Sequence, residues 1–242
     1  MKEILQSKMT DKSASPRQGR SSGSGLFRHS VACFLYVLSV MLISTPFIQH
    51  LKSGEIIAGL MMTMVLLFAV PAVGNSRMAL VWAIVLVIPA IIAKWVYHLW
   101  PNVMPQIAFL VFGFLFILFV IANLFHFIFR TRRVDSEVLS AGIATHLMIC
   151  LLFSLVYQLV ALLVPDSFAF SAAVANSSMK GFTATYFSFI TLCTVGYGDI
   201  IPVSDAARAV AMAEGGIGVF YIATLIARLV SLYSSREITE KM

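Results

Sequence analysis

Charge is what this chain has least of: Asp, Glu, Lys and Arg make up 12% of its 242 residues, and only 11 of those are acids. Soluble domains carry about 25% charged and about 45–50% apolar residues. Here the apolar share is 60% and the mean hydropathy is +0.92. A single core of this size covers only part of so much apolar surface, which excludes an ordinary water-facing fold and makes lipid the bulk solvent. The formal net charge of +6 is spread between apolar runs, so it does not point to nucleic acid as a partner. Cysteine is also scarce. Cys33, Cys150 and Cys193 all lie in apolar stretches without metal-ligand spacing, and read as small apolar side chains rather than disulfides or zinc ligands. The chain lacks a Ser/His/Asp set, a metal-ligand cluster and a phosphate-binding loop, so no enzyme and no cofactor is expected. The Gly-Gly-Ile-Gly of 215–218 lacks the strand-turn-helix setting of a nucleotide site.

What is present is a series of long apolar runs. Residues 1–28 come first, polar, rich in Ser and Gly, with six cations against two acids. They read as a disordered basic arm rather than a cleaved signal peptide, either solvated or weakly attached to anionic headgroups. Runs near 30–49, 55–73, 77–98, 105–129, 137–164 and 203–231 follow, of the length (about 20 residues) that crosses a bilayer. In hydrocarbon such runs must be helical. Pro46, Pro71 and Pro89 predict local kinks. No internal repeat is evident. With the N-terminus inside, 13 Lys and Arg fall on the cytoplasmic side and four, Lys52, Lys94, Lys180 and Arg208, fall toward the other. That asymmetry orients the chain with both termini cytoplasmic and puts 165–202 outside. The domain reading is then 1–28 as arm, 29–130 as a four-helix membrane domain, 131–233 as a second membrane domain, and 234–242 as a short cytoplasmic tail.

Between the last two runs, residues 182–193 are apolar but too short to cross, which suits a re-entrant half-helix. Thr194-Val195-Gly196-Tyr197-Gly198-Asp199 follows at once. Irregular backbone at membrane depth is tolerated only where protein or a water-filled cavity surrounds it, so this arrangement points to a pore.

These six residues match, one for one, the selectivity-filter signature of the potassium channels of the tetrameric pore-loop superfamily. The order of span, outer turret, pore helix, filter, proline and span also resembles that family's two-helix pore module, over roughly 137–231. The resemblance implies an all-α membrane protein of six transmembrane helices plus a re-entrant pore helix and an extended filter. It implies a homotetramer with fourfold symmetry in the cell membrane, and the small size and style of the module suggest a bacterial inner membrane. Potassium is the implied permeant ion, and the carbonyls of Thr194, Val195, Gly196 and Tyr197 are its implied ligands, with the Thr194 hydroxyl at the inner end. A potassium ion leaving water needs oxygens in place of its hydration shell. Gly196 and Gly198 let successive carbonyls face one axis, because alternate residues need backbone angles that a Cβ disfavours. Val195 and Tyr197 then point into the protein and hold the ring at its width. Where some bacterial members carry a pore-helix Glu paired with the filter Asp, this chain has Ile190, so Asp199 needs another partner; Tyr186 is the candidate.

In the sixth run Gly215, Gly216 and Gly218 offer either a bending point for opening or close packing against the pore helix. Val219, Ile222 and Ile226 share a helical face and are expected to line the cavity and its constriction, where an apolar ring gates by dewetting. Glu214, the one acid deep in a span, is expected behind the filter as its support rather than in the ion path. His126 and His146 read as partnered histidines rather than sensors. The run at 105–129 has no arginine, since Arg130, Arg132 and Arg133 come after it, so conventional voltage gating is not expected. The residues after the sixth run are too few for a ligand-binding domain, and a gating ligand would act on the membrane part, the arm or a separate regulatory partner. The expected function is passive, potassium-selective permeation. The alternatives are a weakly selective cation channel and a non-conducting regulatory subunit that keeps a pore-like fold; a four-loop uptake transporter fits less well, because this chain has one loop. Asn176-Ser177-Ser178 fits a glycosylation sequon.

Overall fold

With no water to bond exposed amides, each apolar run closes its backbone hydrogen bonds on itself as a helix. The computed structural model describes residues 24–48, 51, 53–72, 77–99, 106–131, 135–174 and 177–240. Five long helices precede the loop region: α1 (Ser24–Ile48), α2 (Gly54–Ala72), α3 (Arg77–Leu99), α4 (Gln106–Arg130) and α5 (Ser136–Leu163). After a strand β1 (Phe168–Phe170) and one turn of 3-10 helix (Ala172–Val174) come the short helix α6 (Gly181–Leu192), strand β2 (Ile200–Pro202) and α7 (Asp205–Glu240). Pro46, Pro71 and Pro89 lie within α1, α2 and α3.

Among the described residues, five of these helices are long and apolar enough to cross a membrane. The second expected span, α2, offers only the shorter apolar stretch Ile56–Ala72, at the lower limit of about 17 residues that spanning helices use. Polar connections on both sides, with Lys52 and Ser53 before it and Gly74 and Asn75 after it, shorten the apolar run.

Two boundaries differ from expectation. Helix α1 begins at Ser24, inside the stretch read as an arm, whose residues 1–23 lie outside the described residues. Helix α7 runs on to Glu240 through most of the stretch read as a tail, because no Gly or Pro interrupts 231–240. The sequon Asn176 lies outside the described residues. The fold is also not purely helical. Strands β1 and β2 pair antiparallel, with Phe168 opposite Pro202, Ala169 opposite Ile201 and Phe170 opposite Ile200. The ribbon gives backbone partners to a segment that leaves α6 without a helix to continue. Ser171 N–H to Asp199 O (2.8 Å) and Val203 N–H to Ser167 O (2.9 Å) extend it at both ends.

Helix α1 packs on α2 and α5, α4 packs on α3 and α5, and α6 is held between α5 and α7. One core threads α1 to α5 through residues such as Phe34, Leu66, Phe116, Leu124 and Met148. A second, smaller core of Tyr157, Phe168, Phe187, Ile190, Ile200 and Ala207 lies around α6 and the ribbon. In lipid such packing gains close contact rather than hydrophobic transfer, so small residues matter at the crossings. A Cβ on Gly142 would stand 3.0 Å from Leu225 Cδ2, which lets α5 and α7 approach closely.

Candidate functional site

Helix α6 is a 12-residue helix ending at Leu192, and the chain leaves it under close control. Cys193 N–H donates to Phe189 O and Thr194 N–H to Thr191 O, both at 3.0 Å. The Ile190 carbonyl accepts from Val195 N–H at 2.8 Å and from Gly196 N–H at 3.3 Å. Thus Ile190, the position without a carboxylate, holds the start of the following strand through its backbone while its side chain is buried.

The next residues alternate in hand. Thr194 has φ 57°, Gly196 φ 54° and Gly198 φ 79°, while Val195 and Tyr197 between them do not have positive φ. Alternating hand turns successive carbonyls toward a common side. A Cβ at Gly196 or Gly198 would meet nothing within 4 Å, so the dihedral angle rather than space calls for glycine there. Thr194 takes the same region with a β-branched side chain, at about 1–3 kcal/mol, the kind of strain that persists at functional sites. The whole stretch 194–198 is exposed on the single chain, Val195 at 50% and Tyr197 at 71%. Its far end is tied down at Asp199. Tyr186 Oη donates to Asp199 Oδ2 at 2.8 Å, and Ile200 N–H donates to Oδ1 at 3.1 Å.

Behind α6, Glu214 of α7 is fully buried. Tyr157 Oη of α5 lies 2.5 Å from its Oε2, and Ser188 Oγ of α6 is hydrogen-bonded to its Oε1. Ser188 Oγ also donates to the Cys150 carbonyl at 2.8 Å. Tyr157 packs edge-on against Phe168 and Phe187, which fixes its ring.

Just below, Gly215 and Gly216 have open space where a Cβ would be, whereas a Cβ on Gly218 would run into the Leu192 carbonyl and lie 3.0 Å from Leu192 Cδ1. Gly218 therefore lets α7 touch the end of α6. Val219, Ile222 and Ile226 are 52%, 43% and 55% exposed, a face the chain itself does not cover. Farther down, Tyr221 Oη donates to Gly142 O at 2.6 Å and His146 stacks on the Tyr221 ring. Arg228 Nη2 donates to Phe129 O (2.9 Å) and Thr131 O (3.1 Å), satisfying carbonyls at the C-terminal end of α4. His126 Nε2 is 3.4 Å from Arg130. Among the described residues no group of three or more His, Cys, Asp or Glu is placed to hold a metal ion.

Sequence reasoning did not find Tyr157, Ser188, Tyr221 or Arg228, nor the left-handed backbone of Thr194. Two of these carried a readable signal: a tyrosine in mid-run and a serine in a short apolar helix both need partners in hydrocarbon. Arg228 carried none, because a cation at an inner helix end is ordinary.

Helix α6 and the segment of alternating hand after it are thus set between the two long apolar helices α5 and α7. Residues 145–235 match the family model described as Ion channel. Two pore potassium channel b of Oryza sativa subsp. japonica is 38% identical over 74 residues, 29% of this chain and 21% of that protein. Voltage-gated potassium channel Kch of Escherichia coli (strain K12) is 31% identical over 147 residues, 60% of this chain and 31% of that protein. The chain therefore spans less than a third of the length of either curated relative. No solved structure matches. Residues 145–235 are thus similar to an ion-channel family, and the five long apolar helices are those of a multi-pass membrane protein.

Proposed function

We propose that this chain is one subunit of a potassium-selective channel, in which four copies surround one pore. The observation that carries this reading is the 194–198 strand, alternating in hand yet uncovered by its own chain. Irregular backbone cannot face lipid, so this strand needs other protein and a water-filled axis beside it. Copies related by rotation supply both, as heterologous contacts that close into a ring. The carbonyls of Thr194, Val195, Gly196 and Tyr197, with the Thr194 hydroxyl, then replace the hydration shell of a potassium ion without any anionic ligand. Asp199 and Tyr186 hold the outer end of the filter. The exposed Val219, Ile222 and Ile226 line the cavity below it, where an apolar constriction gates by dewetting.

The excess of Lys and Arg on one side supports an orientation with both termini cytoplasmic. Helix α4 carries its only basic end at Arg130, in its last turn. A charge moved across the membrane contributes about 2.3 kcal/mol per 100 mV, and α4 has none within its span for the field to move, which supports weak voltage dependence. Potassium flux into liposomes carrying the purified protein, measured against sodium, tests the proposal. Potassium-preferring flux blocked by barium is the expected result. Equal sodium and potassium flux would replace the reading with a weakly selective channel, and no flux from an intact tetramer under any applied stimulus would replace it with a non-conducting subunit.

A further inference from the structure

Three groups converge on Ser188 at the back of α6, and counting their protons gives the state of Glu214. The Cys150 carbonyl can only accept, so its 2.8 Å contact requires the one proton of the Ser188 hydroxyl. The contact between Ser188 Oγ and Glu214 Oε1 then needs a second proton, and Ser188 has none left. Tyr157 cannot supply it, because its hydroxyl is on the other carboxyl oxygen, Oε2. Glu214 is the remaining source. The surroundings agree with this count. The carboxyl is fully buried between Tyr157 of α5 and Ser188 of α6, beside the Cys150 carbonyl, and no cation is at ion-pair distance among the described residues. A lone carboxylate would be costly there.

We infer that Glu214 is held as a neutral carboxylic acid that donates to Ser188, and that this relay, from Tyr157 through Glu214 to Ser188 and the Cys150 carbonyl, clamps α7 to α6 and α5 directly above the glycines at 215–218. Glu214 is thus a positioning residue. It adds no charge behind the ion path; it fixes the point above which α7 cannot move away from the helix that backs the filter. The functional part rests on reading α6 as the pore helix of a potassium channel, whereas the proton count does not.

Glutamine mimics the neutral acid. Its N–H₂ can donate to Ser188 as the acid O–H does, and its carbonyl can accept from Tyr157, so Glu214→Gln reproduces the neutral relay. Because the Ser188 hydroxyl can turn its proton to the Cys150 carbonyl, the infrared band is what separates the two protonation states. The experiment compares Glu214→Gln and Glu214→Ala with the full wild-type chain in liposomes, by infrared spectroscopy, tetramer melting and potassium flux. The expected result is a protonated-carboxyl stretch in the wild type at neutral pH that is missing from Glu214→Gln. Flux should fall about tenfold or more in Glu214→Ala and return to within about twofold of wild type in Glu214→Gln. A missing carboxylate band instead of an acid band, or a Gln variant as damaged as the Ala variant, overturns the inference. If the wild-type protein passes no potassium, the channel reading fails, but the infrared band and the relative melting of the two variants still decide the relay.

Discussion

The two sides of α6 are built on opposite terms. On one side, residues 194–198 are exposed, take left-handed angles at every second position, and are held by hydrogen bonds only where they leave Ile190 and where they reach Asp199. On the other side, Glu214, Tyr157 and Ser188 form a buried set whose partners all come from the same chain. The buried set behind α6 is finished within one chain, while the 194–198 segment is left uncovered, as the proposed assembly of four copies requires. Substitutions in the backing should therefore register in the stability of the subunit fold, and substitutions in the strand should register in conduction by the assembly.

The sharpest break of this contrast is Gly196→Ala. At φ 54° an L-residue costs about 1–2 kcal/mol per subunit, repeated in every copy of the ring. The new Cβ meets nothing within 4 Å of its own chain, so within the subunit the effect is on backbone geometry. Potassium flux should fall about a hundredfold or more, while subunit unfolding in detergent shifts by no more than that strain of about 1–2 kcal/mol. Equal losses in both measurements would show that the strand is part of the subunit's own fold after all.

Tyr157→Phe gives the converse. Removing the hydroxyl leaves Glu214 Oε2 buried without a donor, at about 1–3 kcal/mol. Unfolding should move by that amount, with potassium still preferred to sodium in whatever flux remains. A variant of wild-type stability that loses its ion preference would mean that the backing acts directly on the filter.

The same contrast explains what the sequence revealed. The proposed filter was legible because its signature is local: consecutive residues, with glycines where the backbone turns left. Helices were legible from hydropathy because lipid leaves the backbone no alternative. The ribbon was hidden because three-residue strands at 168–170 and 200–202 have no periodicity to read and meet across some thirty residues of intervening chain. Tyr157 and Ser188 were half legible, since each needs a partner in hydrocarbon, but they lie 31 residues apart and meet Glu214 only when three helices pack. Left-handed Thr194 was hidden because threonine is a poor residue for that conformation, and the context of Ile190 and Cys193 overrides its preference. The first four helices remain the least readable part: their apolar faces specify packing, and no motif in them specifies a chemistry.

The glycines of α7 sharpen the comparison on a finer scale, because they sit between the clamp and the uncovered face. Gly218→Ala pushes a Cβ into the Leu192 carbonyl, at the end of α6, and a backbone atom cannot swing away as a side chain would. Separating α7 from α6 should cost about 1–3 kcal/mol in unfolding. Gly215→Ala is the smaller and more discriminating change. Its Cβ meets nothing within 4 Å, and replacing a glycine inside a helix by alanine should stabilise α7 by about 0.5–1 kcal/mol. With Glu214 clamped just above, a bend at 215–216 is the first place where α7 can leave α6. Stiffening it should lower the open fraction in planar bilayers by about two- to fivefold while the melting temperature rises. A higher melting temperature with an unchanged open fraction would put the bend elsewhere along α7 and leave Gly215 as a surface that only a neighbouring subunit explains.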